Sequence, residues 1–389
     1  MIDEKLKRVL TRNRCTLLGV GPMSKNCVDA SIEISNELEC LIFLIASRRQ
    51  IDSANLGGGY VENWSTEAFA EYVLEKDKKG MIVLSRDHGG PWQNESEKSK
   101  DLSLTKAMDS AKKSFECDIS NGFQKIHIDP SVDIHGQPTV DQVLDRICEL
   151  YDACWEAAQK YGSKIIFEIG TEEQSGSTNS QEELDYTLEK LNSFCFRNKF
   201  STPTFVVIQG GTKVMETRNV GTFGLPMRVK NEIPPEIQLP KMLDICEHHG
   251  VFMKAHNTDY LSNEALSWYP KLGIHAANIA PEFGVAETRA LLNLLKSLGR
   301  NDLADRFIEL SFKSKKWSKW MLPKTEATDE QKAIIAGHYV FATEECRLIK
   351  DEAAVDCAGI GKNIDQVLKD AVKTSIKRYV ECFRLGELR

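Results

Sequence analysis

Acid–base and metal chemistry need imidazoles and carboxylates held close together, and this chain places such groups at the ends of apolar runs. Asp87-His88 comes just after Met81–Ser85 (MIVLS), and His256, with Asn257 and Asp259, comes just after Val251–Ala255 (VFMKA). Glu168 lies inside Lys164–Ile169 (KIIFEI), followed by Thr171, Glu172 and Glu173. Arg48, Arg49 and Gln50 come after Leu41–Ala46 (LIFLIA), and Asp129 closes Lys125–Asp129 (KIHID). Gln209 ends Thr204–Gln209 (TFVVIQ) and leads into Gly210, Gly211 and Thr212, while Asn278 sits in Ile274–Ile279 (IHAANI). Clustered carboxylates repel one another and are costly to desolvate unless a cation or ligand compensates. A divalent metal does so, and imidazole with carboxylate suits zinc or a harder ion. His88 and His256, each near an acid, are therefore the candidate ligands. His127, inside an alternating strand, stays open between a packed and a site-facing role. His135, His248, His249, His275 and His338 are expected to be structural.

These tips need a scaffold that makes them converge. With Thr16–Val20 (TLLGV), the apolar runs number eight, and helical periodicity fills Thr66–Lys76, Leu104–Cys117, Val140–Tyr161, Gln181–Lys199 and Leu239–His249 between them. Strand and helix in alternation imply a parallel sheet, and eight units predict a closed (β/α)8 TIM barrel over residues 1–299. The third and seventh strands then face each other across the mouth, at the strand ends where such barrels keep their active sites. An open doubly wound sheet is the alternative, but the first turn, GVGPMS (Gly19–Ser24), lacks the dinucleotide glycine spacing. Residues 300–389 read as a helical extension packing on the barrel or on an oligomer partner, and a homo-oligomer is expected. Within it, KSKKWSKW (Lys313–Trp320) predicts an amphipathic helix with Trp317 and Trp320 buried and its lysines solvated. Asp365–Cys382 reads as another.

The chain has 389 residues with 50 Lys+Arg against 57 Asp+Glu, a net charge of −7, which argues against nucleic acid as a partner. Met1–Arg14 has no apolar core of the signal-peptide kind, and no run reaches membrane-spanning length, so a cytoplasmic protein without membrane contact is expected. The 11 cysteines include no C-x-x-C pair and read as small core residues.

Five segments also carry a resemblance: SRDHGGP (Ser85–Pro91), NGFQKIHIDPS (Asn121–Ser131), FEIGTE (Phe167–Glu172), AHNTDY (Ala255–Tyr260) and NIAPEFGVAETRA (Asn278–Ala290). In this order they resemble the Z-subunit, or non-catalytic subunit, family of class II tagatose-bisphosphate aldolase. More distantly they are similar to zinc-dependent class II fructose-bisphosphate aldolases. The resemblance implies that Asp87 moves the proton of the hydroxyl at the scissile carbon, that His88 and His256 ligate the metal, and that Glu168 is a supporting ligand. It also implies that Glu172 or Glu173 exchanges the proton on the enediolate carbon. Where the aldolases have a histidine on strand six this chain has Gln209, a weaker ligand. Arg48-Arg49 replaces smaller polar residues; the pair clamps a phosphate or carboxylate, or one of them pairs with Asp52. The amides of Gly210, Gly211 and Thr212 are a candidate phosphate cradle, and Gln50, Asp129, Asn257, Asp259 and Asn278 are further candidates for binding a sugar or sugar phosphate.

Two functions follow as expectations. One is a metal-dependent aldolase or 4-epimerase acting on a ketose phosphate or related sugar. The other is an accessory subunit stabilising a separate class II aldolase polypeptide.

Overall fold

In the computed structural model, residues 2–170, 180–224 and 233–387 are described. The strands are β1 (Leu17–Val20), β2 (Ile42–Ser47), β3 (Ile82–Gly89), β4 (Lys125–Ile128), β5 (Ile166–Ile169), β6 (Phe205–Ile208), β7 (Val214–Met215), β8 (Arg218–Asn219), β9 (Phe252–Ala255) and β10 (Ala276–Ile279). Eight of them close into a parallel barrel in the order β1-β10-β9-β6-β5-β4-β3-β2, as the alternation of strand and helix requires. The remaining pair, β7 and β8, forms a small antiparallel hairpin after β6 that has no counterpart in the predicted elements.

The helices begin where the sequence supplies side-chain caps. Ser24, Ser65, Ser180 and Ser262 each accept a hydrogen bond from an amide of the first turn, and Thr139 with Gln142 makes a reciprocal capping box. On β3 the pairing with β4 is in step at Arg86 and shifts by Gly89. His88, inside that irregularity, has a left-handed backbone with φ of 44°. A bulge interrupts the alternation of faces, so the neighbours Asp87 and His88 both reach the mouth instead of pointing to opposite sides.

The helices after residue 300 pack on the barrel. Helix Ile364–Cys382 returns to the barrel and places Val372, Ile376, Tyr379 and Val380 in the main core, where the amide of Thr16 donates to the carbonyl of Phe383 at 3.1 Å. A second, smaller core joins Leu291, Leu294 and Leu295 of helix Pro281–Ser297 to Leu303, Phe307, Ile349 and Leu368. Both helices join the two cores, since Phe283 of the helix after β10 lies in the main core and Leu368 of the last helix in the second. The basic tryptophan segment departs from expectation. It is a turn followed by a short 3-10 helix, Ser318–Trp320, and both tryptophans are half-buried. Among the described residues no helix is long and apolar enough to cross a membrane. The cysteines are free thiols, mostly buried, with Cys117, Cys148 and Cys382 partly exposed.

Candidate active site

The strand tips build a cavity of about 440 Å³ at the mouth of the barrel. Asp87 and His88 from β3, His256 after β9 and Asn278 from β10 form its floor. His127 on β4 and Glu168 on β5, in register with each other, lie buried behind them. The rings of His88, His127 and His256 form a near-equilateral triangle with centroids 5.0, 5.3 and 5.4 Å apart. Asp87 belongs to all three: its carboxylate is 3.8 Å from His88 Nε2, 3.3 Å from His127 Nδ1 and 3.8 Å from His256 Nε2. Asn278 Nδ2 donates to Asp87 Oδ1 at 3.0 Å and lies 3.0 Å from His256 Nε2.

The electrostatics follow from this packing. Burial alone would raise the Asp87 carboxyl, but the positive charge of His88 beside it holds it well below the carboxylate range. Burial would also depress His88, yet Asp87 and the 2.6 Å hydrogen bond to Asp129 raise it to about 9. Burial dominates at His256 and lowers it to about 4, keeping that ring neutral with a lone pair to offer. Glu168 is different: Lys125 donates to it at 2.7 Å, and Lys254 reaches both of its oxygens at 2.9 Å. Those two ammonium groups overcome the burial that would raise its carboxyl and keep it ionised.

A divalent ion suits part of this constellation. One donor atom from each of Asp87, His127, Glu168 and His256 lies within 4.8 Å of every other. His127 Nε2 is buried with no hydrogen-bond partner among the described residues. His88 has its Nδ1 on a carboxylate, which fixes the ring and turns Nε2 inward, the second-shell pattern found behind metal-bound imidazoles. Within the set, Glu168 is the poor member, since two ammonium groups already neutralise it. His127 Nδ1 accepts the amide N–H of His88 at 3.1 Å. Of the four, Asp87 and the neutral His256 fit best, while His88 lies outside the set, its Nε2 3.8 Å from Asp87.

The remaining predicted residues divide. Arg49, Gln50, Asp129, Asn257 and Asp259 line the cavity. Arg48 does not. It is buried against Asp52 at 3.0 Å and Glu97 at 2.7 Å, so the two-arginine clamp gives way to the pairing with Asp52. Asp259 accepts from the amides of Ala280 and Glu282, holding the turn into the helix after β10, and burial with the Glu282 charge raises it to about 7. Gly210, Gly211 and Thr212 are absent from the described lining of the cavity. Gly211 has a φ of +72° and packs so closely on Pro235 that a Cβ would sit 2.3 Å from it, while the Thr212 hydroxyl donates to the carbonyl of His256. The expected phosphate cradle is thus a packed turn. Gln209 is buried at the end of β6 and also away from that lining. Glu172 and Glu173 lie outside the described residues. Sequence reasoning missed Lys319, Trp320 and Tyr339, which form the rim opposite the floor; the density of Lys and Trp at Lys313–Trp320 was the available signal.

Solved structures share this architecture. A probable tagatose 6 phosphate kinase from Sinorhizobium meliloti 1021 superposes with a TM-score of 0.71 at 17% identity, over 94% of this chain and 100% of its own. Fructose-bisphosphate aldolase from Campylobacter jejuni gives 0.56 at 12%, over 99% and 93%. The fructuronate-tagaturonate epimerase UxaE from Cohnella laeviribosi, complexed with glycerol, gives 0.57 at 12%, over 95% and 81%. At these identities the likeness is one of fold. The family itself is shown by sequence: the D-tagatose-1,6-bisphosphate aldolase subunit GatZ/KbaZ-like model matches residues 4–309, and the chain belongs to that family.

Proposed function

We propose that this chain catalyses aldol and retro-aldol chemistry on a ketose phosphate or a related sugar acid, with a divalent ion, zinc by donor type, held by His88 and His256. The observation that carries the reading is Asp87 at the floor of a cavity, surrounded by three imidazoles and fixed by Asn278. When bound, the ion would polarise the ketose carbonyl and offset the charge that collects on its oxygen. Asn278 holds one oxygen of Asp87, leaving the other to receive the proton of the hydroxyl on the scissile carbon. As that O–H bond breaks, its electrons form the aldehyde C=O, the carbon–carbon bond breaks, and its electron pair passes to the ketose side as an enediolate. A second proton must reach the enediolate carbon, and Glu172 and Glu173 are the sequence candidates for that step. If the aldehyde turns over before recombining, the net reaction is epimerisation at C4.

The family description names a subunit, so an accessory role for a separate aldolase chain is the second reading. Against it stands the cluster itself, since a scaffold has no use for a carboxylate ringed by imidazoles. The test is the purified chain alone, supplied with zinc and offered a panel of ketose phosphates and sugar acids. Turnover, with about one ion per chain in wild type and none in His88→Ala, is the expected result. Turnover only after a second polypeptide is added would favour the accessory role, and a wild type that holds no zinc would remove the ligand assignment.

A further inference from the structure

We infer that Arg49 and Lys319, brought together from the β2 loop and the C-terminal segment, form a subsite for the anionic end of the substrate. The inference rests on the reading that a sugar occupies the cavity, and it assigns the group that fixes such a sugar's far end. Of the cations nearby, Arg48 is neutralised by Asp52 and Glu97, and Lys316 by Glu95 at 2.7 Å, while Lys98 also lines the cavity. Arg49 and Lys319 both line the cavity, and neither makes an ion pair among the described residues.

Packing holds Lys319 in place. Its ammonium lies over the rings of Trp320, 5.0 Å from the centroid, and Tyr339, 5.3 Å from the centroid. The Trp320 carbonyl accepts the amide of Glu216 in the hairpin after β6, and Trp317 stacks on Phe312 with centroids 5.4 Å apart. The segment is therefore fixed across the mouth from both sides. Although part of Lys319 reaches solvent, the protein crowded around its ammonium and then the charge of Arg49 pull it down to about 8.

Arg49 and Lys319 repel each other even with the Glu95 carboxylate near both, and an anion between them removes that cost while gaining charge-assisted hydrogen bonds. Arg49 supplies a planar fork and Lys319 a point charge, a combination that takes phosphate or carboxylate. The substrate class is thus a ketose with a terminal phosphate or a terminal carboxylate.

The test is calorimetric titration of the whole chain, without added metal, using glycerol phosphate and glycerate as probes. Both Arg49→Gln and Lys319→Gln are expected to weaken the better probe about tenfold, and the double variant more. Lys315→Gln, in the same basic run but not lining the cavity, is expected to leave binding unchanged. A preference for glycerol phosphate assigns a sugar phosphate, and a preference for glycerate assigns a sugar acid. Failure of both probes to bind wild type, or equal binding by wild type and the double variant, overturns the subsite. Because no turnover is measured, an inactive chain that still shows variant-sensitive binding would sink the lyase reading and leave this one standing.

Discussion

Two consecutive residues of β3 open onto two different polar networks. Arg86 points into the layer between barrel and helices, where every arm of its guanidinium is used: on Asp118 twice at 2.7 Å, on the carbonyls of Ala46 and Ile51 at 2.8 and 2.7 Å, and on the Thr66 hydroxyl at 3.3 Å. Asp87 points into the mouth, where the accounting stays open. His127 Nε2 and Asn278 Oδ1 have no hydrogen-bond partner among the described residues. Buried polar groups that serve only structure are mostly satisfied, because an unmade bond in a dry interior costs more than a made one returns. Other buried groups without a partner lie outside the cavity lining, both ring nitrogens of His338 among them, so what sets these two atoms apart is their place beside Asp87.

The comparison breaks most sharply at Arg86. Arg86→Ala leaves Asp118 as an unpaired buried carboxylate and should cost about 3–5 kcal/mol of stability by denaturant titration. A loss under about 1 kcal/mol would mean that the closed network is ornamental. Its neighbour should behave in the opposite way. Asp87→Asn keeps shape and volume but gives up the charge that His88 favours, so stability should fall by less than in Arg86→Ala, while turnover falls about 10²–10³-fold because the base is gone. Full turnover in that variant would take Asp87 out of the mechanism.

Much of this division was legible beforehand. The eight barrel strands are apolar runs bounded by turn residues, and Asp87-His88 and His256 stand just beyond two of them, so strand ends and site coincide. What could not be read is which way adjacent residues turn. Arg48 and Arg49 are alike in sequence, and only the folded loop sends one to Asp52 and Glu97 and the other to the cavity. The hairpin β7–β8 has strands too short to show periodicity. Lys319 escapes for a different reason: its position depends on the Tyr339 ring beneath it and on the Glu216 amide that holds its neighbour Trp320, and nothing local to Lys313–Trp320 encodes those partners. His127 needed the register of β4 against β5 to place it behind Asp87.

Glu287 sharpens the comparison, because it is buried and bonded without needing a charge. It contacts Ser24 and accepts from Asn26, yet burial outweighs both and raises its carboxyl to about 7. In the unfolded chain the same group ionises near ~4.3. Below that pH both states are protonated and the stability is complete. As pH rises toward 7 the unfolded state gives up its proton first, so stability is lost, by about 3–4 kcal/mol in all, and levels off above the folded value. Glu287→Gln keeps both hydrogen bonds and cannot ionise, so its advantage over wild type should grow between pH 5 and pH 8. Denaturation curves that shift in parallel over that range would show that the carboxyl is ionised in the folded protein.

The smallest effect separates two lysines three residues apart. Lys316 is paired with Glu95 at 2.7 Å, but its side chain is 44% exposed and its partner's 59%. An exposed pair gains little over water and is screened by salt, so Lys316→Ala should cost about 0.2–1 kcal/mol and less at high ionic strength. The segment would still be held across the mouth by the Phe312–Trp317 stack and by the Trp320–Glu216 backbone bond. If Lys316→Ala instead cost more than about 2 kcal/mol, or weakened anion binding as far as Lys319→Gln does, a single surface ion pair would be positioning Lys319. The contrast between neutralised and unneutralised cations would then describe one coupled device in place of two independent residues.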